Sequence, residues 1–334
     1  MLNPRLPDSL VALLDDHRGS HAVYYPPGSL SDHGPMAYLA LHALGASARS
    51  IELFARGYRK RLAPLRPAEA PLTSRDWPDA VGHAASYPAL LAFFDAEIRD
   101  RGSRATLTSY LPRLISGWVL DVFHPLIRLG YGVEFEVPSE IAAGLAYLAC
   151  VGDDPALARA ATGPASGASG SAFLTRLRSR TTPTAIRGPG PFNRRYRQVL
   201  GAVDLCPAGG SAETIYLELG RACLEVFAAT HDFFALHMVT ASRAFRLCAP
   251  WAGPEAHRIY SVGIGAAYLT LGAPTFQPIH RAERGPPSAD PETLCDEHDI
   301  KLLHTCRASA KALAEPSYEW VAEGYLARQR RAAE

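Results

Sequence analysis

Residues 211–249 read SAETIYLELGRACLEVFAATHDFFALHMVTASRAFRLCA. Apolar residues return every three or four positions, the spacing that lines one face of a helix and not the alternating faces of a strand. The stretch therefore predicts one long helix or two abutting ones. The same period recurs on both sides of it, in HGPMAYLALHALGASARSIELFARGYRKRL (33–62), YPALLAFFDAEIRDRG (87–102) and TLTSYLPRLISGWVLDVFHPLIRLGYG (106–132). It returns in PSEIAAGLAYLACVG (138–152), in PEAHRIYSVGIGAAYLTLGA (254–273), around Lys301 and from Pro316 to Arg331. Pro112 and Pro125 should bend or break the third of these segments, because proline lacks the amide proton a helix interior uses.

Strand-like alternation is scarce, with YGVEFEVP (131–138) its best example, and no βαβ rhythm is visible. The expected fold is all-α, a single large multi-helix domain over 1–334 with long Gly/Pro-rich loops. Residues 163–191 (GPASGASGSAFLTRLRSRTTPTAIRGPGP) are expected to form such a loop or an active-site lid.

The formal net charge is +1, which gives no electrostatic case for nucleic acid or an anionic membrane as a partner. No segment approaches the ~20 consecutive apolar residues that span a bilayer. The first residues contain no continuous apolar run of the kind a secretory signal needs. Six cysteines are scattered without a C-x-x-C pair, as expected of reduced thiols. Together these features predict a cytoplasmic protein. P-loop, G-x-S-x-G and H-E-x-x-H motifs are absent, and GIGAAY at Gly263 lacks both the third glycine and the preceding strand of a dinucleotide fingerprint.

What remains is histidine placement. His33 stands at the mouth of a helix, His124 in a long apolar run, His231 and His237 in the stretch quoted above, and His298 and His304 in CDEHDIKLLHTC (295–306). Helices that aim such side chains inward can build one metal site in a helical core. His231 and His237 are six residues apart, about 240° around a straight helix, so they cannot share an ion there. His237 has the more apolar context. His298 and Lys301 are three apart and reach one point, whereas His304 points elsewhere.

Lys301 is one of only three lysines among 34 basic residues. A buried lysine favours the neutral amine, and a neutral amine can add carbon dioxide to become a carbamate, an oxygen ligand that arginine cannot supply. The alternative is an ordinary i,i+4 ion pair with Glu297.

DHGPMAYLALHALGAS, GWVLDVFHPLIRLGYGVEFEVPSEIAAGLAYLA, DFFALHMVTAS and DEHDIKLLHTC follow one another as in the questin oxidase-like family, which the chain resembles from about Asp32 onward. The resemblance implies a largely helical, non-haem iron enzyme that uses dioxygen to open a ring of an anthraquinone or related aromatic polyketide, with an outcome like a Baeyer–Villiger oxidation. It implies Fe(II) held by four histidines and a carboxylated lysine, here His33, His124, His237, His298 and Lys301, with His231 in reserve. Fungal members carry a further histidine where this chain has Arg128, and this chain is shorter in its middle.

Arg128 is expected either to hold a substrate phenolate or carboxylate or to pair with a carboxylate of the fold. Asp121 is expected to orient His124 as an outer acceptor, with His42 and Thr240 as weaker supports. Phe233, Phe234, Tyr131 and Trp118 are expected to line an apolar pocket or simply to pack helices. Two other readings stay open: a metal-free monooxygenase drawing on NADPH or a flavin, and a non-enzymatic helical ligand-binding protein.

Overall fold

A computed structural model describes residues 6–27, 30–181, 191–279 and 289–333. Each amphipathic segment buries its apolar face against its neighbours, giving fifteen α-helices among the described residues. The N-terminal part contains α1 (Asp8–Ser20), the two-residue strands β1 (Tyr24–Tyr25) and β2 (Leu30–Ser31), α2 (Gly34–Leu44) and α3 (Ala48–Arg59). The strands pair antiparallel, Tyr24 opposite Ser31. Next come α4 (Tyr87–Arg101), α5 (Ser103–Leu114), α6 (His124–Glu134), α7 (Pro138–Val151), α8 (Pro155–Ala161), α9 (Gly170–Ser179) and α10 (Phe192–Ala202). The C-terminal part is α11 (Ala212–Thr230), α12 (Phe233–Cys248), α13 (Ala256–Thr270), α14 (Glu297–Leu313) and α15 (Ser317–Ala333).

The decisive stretch is thus two helices. The break lies at His231, which takes a left-handed φ of 50° and caps α11. Asp232 then starts α12 by accepting from the amides of Phe234 and Ala235, the usual side-chain cap for amides that have no partner inside the helix. The break also removes the straight-helix premise from the spacing of His231 and His237.

Buried apolar side chains from Leu10 to Leu326 form one connected core. At its centre α6 lies between α7 and α12. Two glycines set that spacing: a Cβ on Gly144 would stand 2.5 Å from the Leu129 backbone, and one on Gly130 would stand 2.6 Å from Ala244. Helix α14 packs on α2, α12 and α15. The layout therefore brings the N-terminal residues of α2, α6 and α14 to the first turns of α12.

Three sequence expectations change. YGVEFEVP is not a strand: α6 continues through Glu134 and a turn leads into α7. A strand there would have to cross a core already filled by helices. Residues 163–191 are not one loop, because Gly170–Ser179 is a helix with Phe173, Leu174 and Leu177 buried; residues 182–190 lie outside the described residues. The proline expectation divides. Pro125 sits in the first turn of α6, where its missing N–H costs nothing, and Pro112 lies inside α5 near its end. Among the described residues no single helix is long and apolar enough to cross a membrane.

Candidate metal centre

Four histidines from four sequence-distant helix starts meet in one place. His33 caps α2, His124 opens α6, His237 lies in the second turn of α12 and His298 in the first turn of α14. One ring nitrogen of each lies within 4.8 Å of the others. Three are nearly or wholly shut from solvent, and His298 keeps 17% of its side-chain surface.

The outward nitrogens are all engaged. Nδ1 of His33 donates to the carbonyl of Ser31 at 2.6 Å and that of His237 to the carbonyl of Phe233 at 2.7 Å. Nδ1 of His124 donates to the carbonyl of Asp121. Nδ1 of His298 faces the Asp296 carboxylate at 3.5 Å. A neutral imidazole carries one N–H, so a proton held on Nδ1 leaves Nε2 a bare lone pair. This is the arrangement found behind metal-ligating histidines.

The inward nitrogens are left without protons. Nε2 of His33 and of His298 are buried and have no hydrogen-bond partner. Nε2 of His124 and of His237 stand 3.0 Å apart, with no proton on either to join them. A protonated ring does not resolve the contact. Burial, followed by the charges of Lys301 and the neighbouring histidines, pushes His33 and His124 well below the ordinary histidine pKa. Burial, then His124 and Lys301, does the same to His237. Four lone pairs converging in one largely buried place fit a divalent cation of the kind that takes nitrogen ligands.

Lys301 is wholly buried on α14, one turn after His298, and its Nζ has no hydrogen-bond partner. The Glu297 alternative is not realised: that carboxylate pairs with Arg61 at 2.7 Å. Burial lowers the Lys301 pKa to about 7, against the opposing charges of Glu297 and Asp296. A neutral amine is therefore available near neutral pH.

The remaining expected residues separate. Arg128 is buried on α6, bonded to Glu140 at 2.9 Å and 3.8 Å from Asp32, so it pairs with carboxylates of the fold. Asp121 supports His124 through its backbone carbonyl and not through its carboxylate, which goes to Tyr24 and Asn193. His231 binds Arg328 on α15, away from the four. His304 bonds the Tyr131 hydroxyl, so both stand apart from the centre. Trp118 packs against Phe123, Phe245 and Tyr260. Phe234 stacks on Phe192. Only Phe233 of the four aromatics reaches the site, its ring centred 4.5 Å from His237 and 4.9 Å from His298, with nearly half its surface exposed. Thr240 bonds the carbonyl of His237, and His42 sits in the last turn of α2 beside Pro7 and Leu10.

Sequence reading missed the layer beneath. Asp32 accepts from the amide of Gly34 at 2.9 Å and pairs with His17 at 2.8 Å, fixing the entry to α2 just after His33 turns inward. The Tyr58 hydroxyl accepts from the His33 amide at 2.6 Å. Asp296 caps α14 through the amides of His298 and Asp299. Only the last carried a sequence signal, an Asp placed at a helix start.

Comparison with known proteins points to one family. A family profile described as "Questin oxidase-like" matches residues 30–306, which includes all four histidines and Lys301. A Baeyer–Villiger oxidase of Paecilomyces divaricatus, AgnL3, is 30% identical over 149 residues, 41% of this chain and 32% of that protein. A questin oxidase of Aspergillus fumigatus is 30% identical over 152 residues, 41% of this chain and 34% of its own length. The Baeyer–Villiger oxidase notM of an Aspergillus species is 39% identical over 85 residues, 23% of this chain and 21% of that protein. The matched part thus spans about a third of the first two relatives. With the profile covering most of its length, the chain belongs to the questin oxidase-like family.

Proposed function

We propose that the protein is a non-haem iron dioxygenase that opens a ring of an anthraquinone or related polycyclic aromatic polyketide, with a Baeyer–Villiger-like outcome. His33, His124, His237 and His298 would hold Fe(II) through Nε2, and Lys301, as its carbamate, would add an anionic oxygen. The observation that carries this reading is the 3.0 Å approach of the Nε2 atoms of His124 and His237, whose Nδ1 atoms both bond backbone carbonyls, beside two more Nε2 atoms that have no partner. The names of the relatives support oxidative ring opening.

Fe(II) bound there supplies the one-electron chemistry that lets dioxygen react with a closed-shell aromatic substrate. The chain contributes the rest. Backbone carbonyls of Ser31, Asp121 and Phe233 keep the Nδ1 protons outside and so hold the inward lone pairs in place. The buried Lys301 amine attacks carbon dioxide, an N–C bond forms, and one proton leaves to give the carbamate. The burial of Lys301 favours the neutral amine that this step needs. Phe233, exposed along one edge and touching two histidines along the other, offers an aromatic face to a planar ring at the solvent side of the centre. Opening a quinone ring to a carboxylic acid and a phenol takes up dioxygen together with two electrons and two protons, so the substrate enters at the reduced, hydroquinone level or NADPH supplies the two electrons.

The test is elemental analysis of protein purified without chelator, followed by turnover under 18O2 of an anthraquinone supplied as its hydroquinone or together with NADPH. Stoichiometric iron and two labelled oxygens in the product support the reading. A metal-free protein whose activity follows NADPH sinks it.

A further inference from the structure

The carbonyl that orients His124 belongs to an unusual piece of backbone. Asp121, Val122 and Phe123 all take left-handed conformations, with φ of 50°, 56° and 67°. Three such residues in succession, none of them glycine and one β-branched, are strained and persist only where surrounding contacts over-determine them. Without this turn the chain would run from the Leu120–Phe123 segment straight into α6, and the Asp121 carbonyl would not meet the His124 ring.

Asn193 supplies the contacts. Its Oδ1 accepts from the Asp121 amide at 2.8 Å, and its Nδ2 donates to Asp121 Oδ1 at 2.7 Å. The two bonds fix the amide orientation, because reversing it would set N–H against N–H and oxygen against carboxylate. The second carboxylate oxygen accepts from the Tyr24 hydroxyl on β1. Asp121 is thus held at its backbone and at both side-chain oxygens by residues far away in sequence. Asn193 itself sits in the first turn of α10, beside Phe192. That ring packs against Phe123 at 5.9 Å and stacks on Phe234 at 5.0 Å. The same turn of α10 therefore also braces the start of α12, where the Phe233 carbonyl orients His237.

We propose that Asn193 is a positioning residue for the metal centre: it locks the left-handed turn at Asp121, aims the Asp121 carbonyl at His124 Nδ1, and so sets the direction of His124 Nε2. This inference rests on the reading of the four histidines as metal ligands. Asn193 touches neither metal nor substrate in this role. Tyr24 is its partner on the opposite side of the same carboxylate.

The experiment measures Fe(II) and Co(II) dissociation constants, and the visible spectrum of the Co(II) form, for the wild type, Asn193→Ala, Asn193→Asp, Tyr24→Phe and the exchange D121N/N193D. Asn193→Asp sets two carboxylates against each other. The exchange keeps the backbone amide at position 121 as donor to an oxygen at position 193, re-forms the side-chain bond with donor and acceptor interchanged, and still offers Tyr24 an oxygen. Asn193→Asp and Asn193→Ala should weaken metal binding about 10–100-fold, the size seen when an outer partner of a ligating histidine is lost, and should alter the Co(II) spectrum. The exchange should recover affinity to within a few-fold of wild type, and Tyr24→Phe should show the same spectral change in smaller degree. Wild-type affinity and spectrum in both Asn193 variants would overturn the proposal, as would an exchange no better than Asn193→Asp. Should Asn193→Asp fail to fold, the exchange and Tyr24→Phe decide by the same readouts. Metal binding by no form, wild type included, overturns the metal reading itself and this inference with it.

Discussion

His124 and His237 face each other Nε2 to Nε2 across 3.0 Å, each with its Nδ1 bound to a backbone carbonyl one helical turn or less away. Two lone pairs at that distance repel, and a cation between such rings turns the repulsion into coordination. Metal should therefore stabilise the fold by mass action, about 2.7 kcal/mol at a hundredfold excess over Kd. His237→Leu should abolish the metal-dependent rise in Tm. It should cost the metal-free protein little, because it removes one side of a repulsive pair. Thermal melts with and without Fe(II) under anaerobic conditions check this; a large loss in the metal-free form contradicts it.

Lys301 gives a second prediction. Lys301→Arg and Lys301→Ala should both lose iron, since neither side chain forms a carbamate. Depleting carbon dioxide during anaerobic reconstitution of the wild type should lower iron uptake, and bicarbonate should restore it. Iron content at wild-type level in Lys301→Ala would show that the amine is not needed.

The third concerns pH. Burial holds His304 neutral down to about pH 4, and it depresses His33, His124 and His237 well below their ordinary range. In the unfolded chain these rings take up protons near pH 6.5. Their neutral burial therefore contributes fully above that pH, and stability falls as the pH drops from about 6.5 toward 4, by up to about 1.4 kcal/mol per pH unit for each ring. Denaturant melts of the metal-free protein at pH 7.5 and pH 5 should show the fall, and His304→Gln should flatten it. A pH-independent midpoint would argue against neutral buried rings.

Phe233 yields a fourth. Phe233→Ala should raise KM for a planar aromatic substrate several-fold and leave iron content unchanged, with Phe233→Trp close to wild type. Equal KM in all three removes the aromatic-face role.

Arg128 should behave as part of the fold. Truncating one partner of a buried ion pair costs about 3–5 kcal/mol, so Arg128→Met should lower Tm sharply, and pairing it with Glu140→Met should recover part of the loss. A change in KM with unaltered stability would return Arg128 to the substrate.

Helix content was legible because an apolar period of three to four needs no tertiary knowledge. The four histidines and Lys301 were reachable through local words such as DEHDIK and HPLIRLGYG joined to a family resemblance. Their convergence was not, since no spacing within a chain says which helix starts meet. The Glu297–Lys301 alternative failed for the same kind of reason: Arg61, from a distant part of the chain, takes the carboxylate. YGVEFEVP misled because its alternation arises where α6 ends and α7 begins, two helix termini read as one strand. Asn193 gave no signal, because an asparagine among RR and RYR reads as surface until Asp121 is seen opposite it.

The four histidines lie at positions 33, 124, 237 and 298, each at or near the start of its own helix. A nascent chain thus carries only His33 and His124 until residue 237 is made, and the set stays incomplete until residue 298. The last histidine and the lysine arrive together on one turn. On the proposed reading the full ligand set exists only once α14 has been made, and a translation product stopped just short of His298 would contain three of the histidines and neither His298 nor Lys301. On the proposed reading iron would bind only molecules that have docked α14, and so would separate them from those that have not.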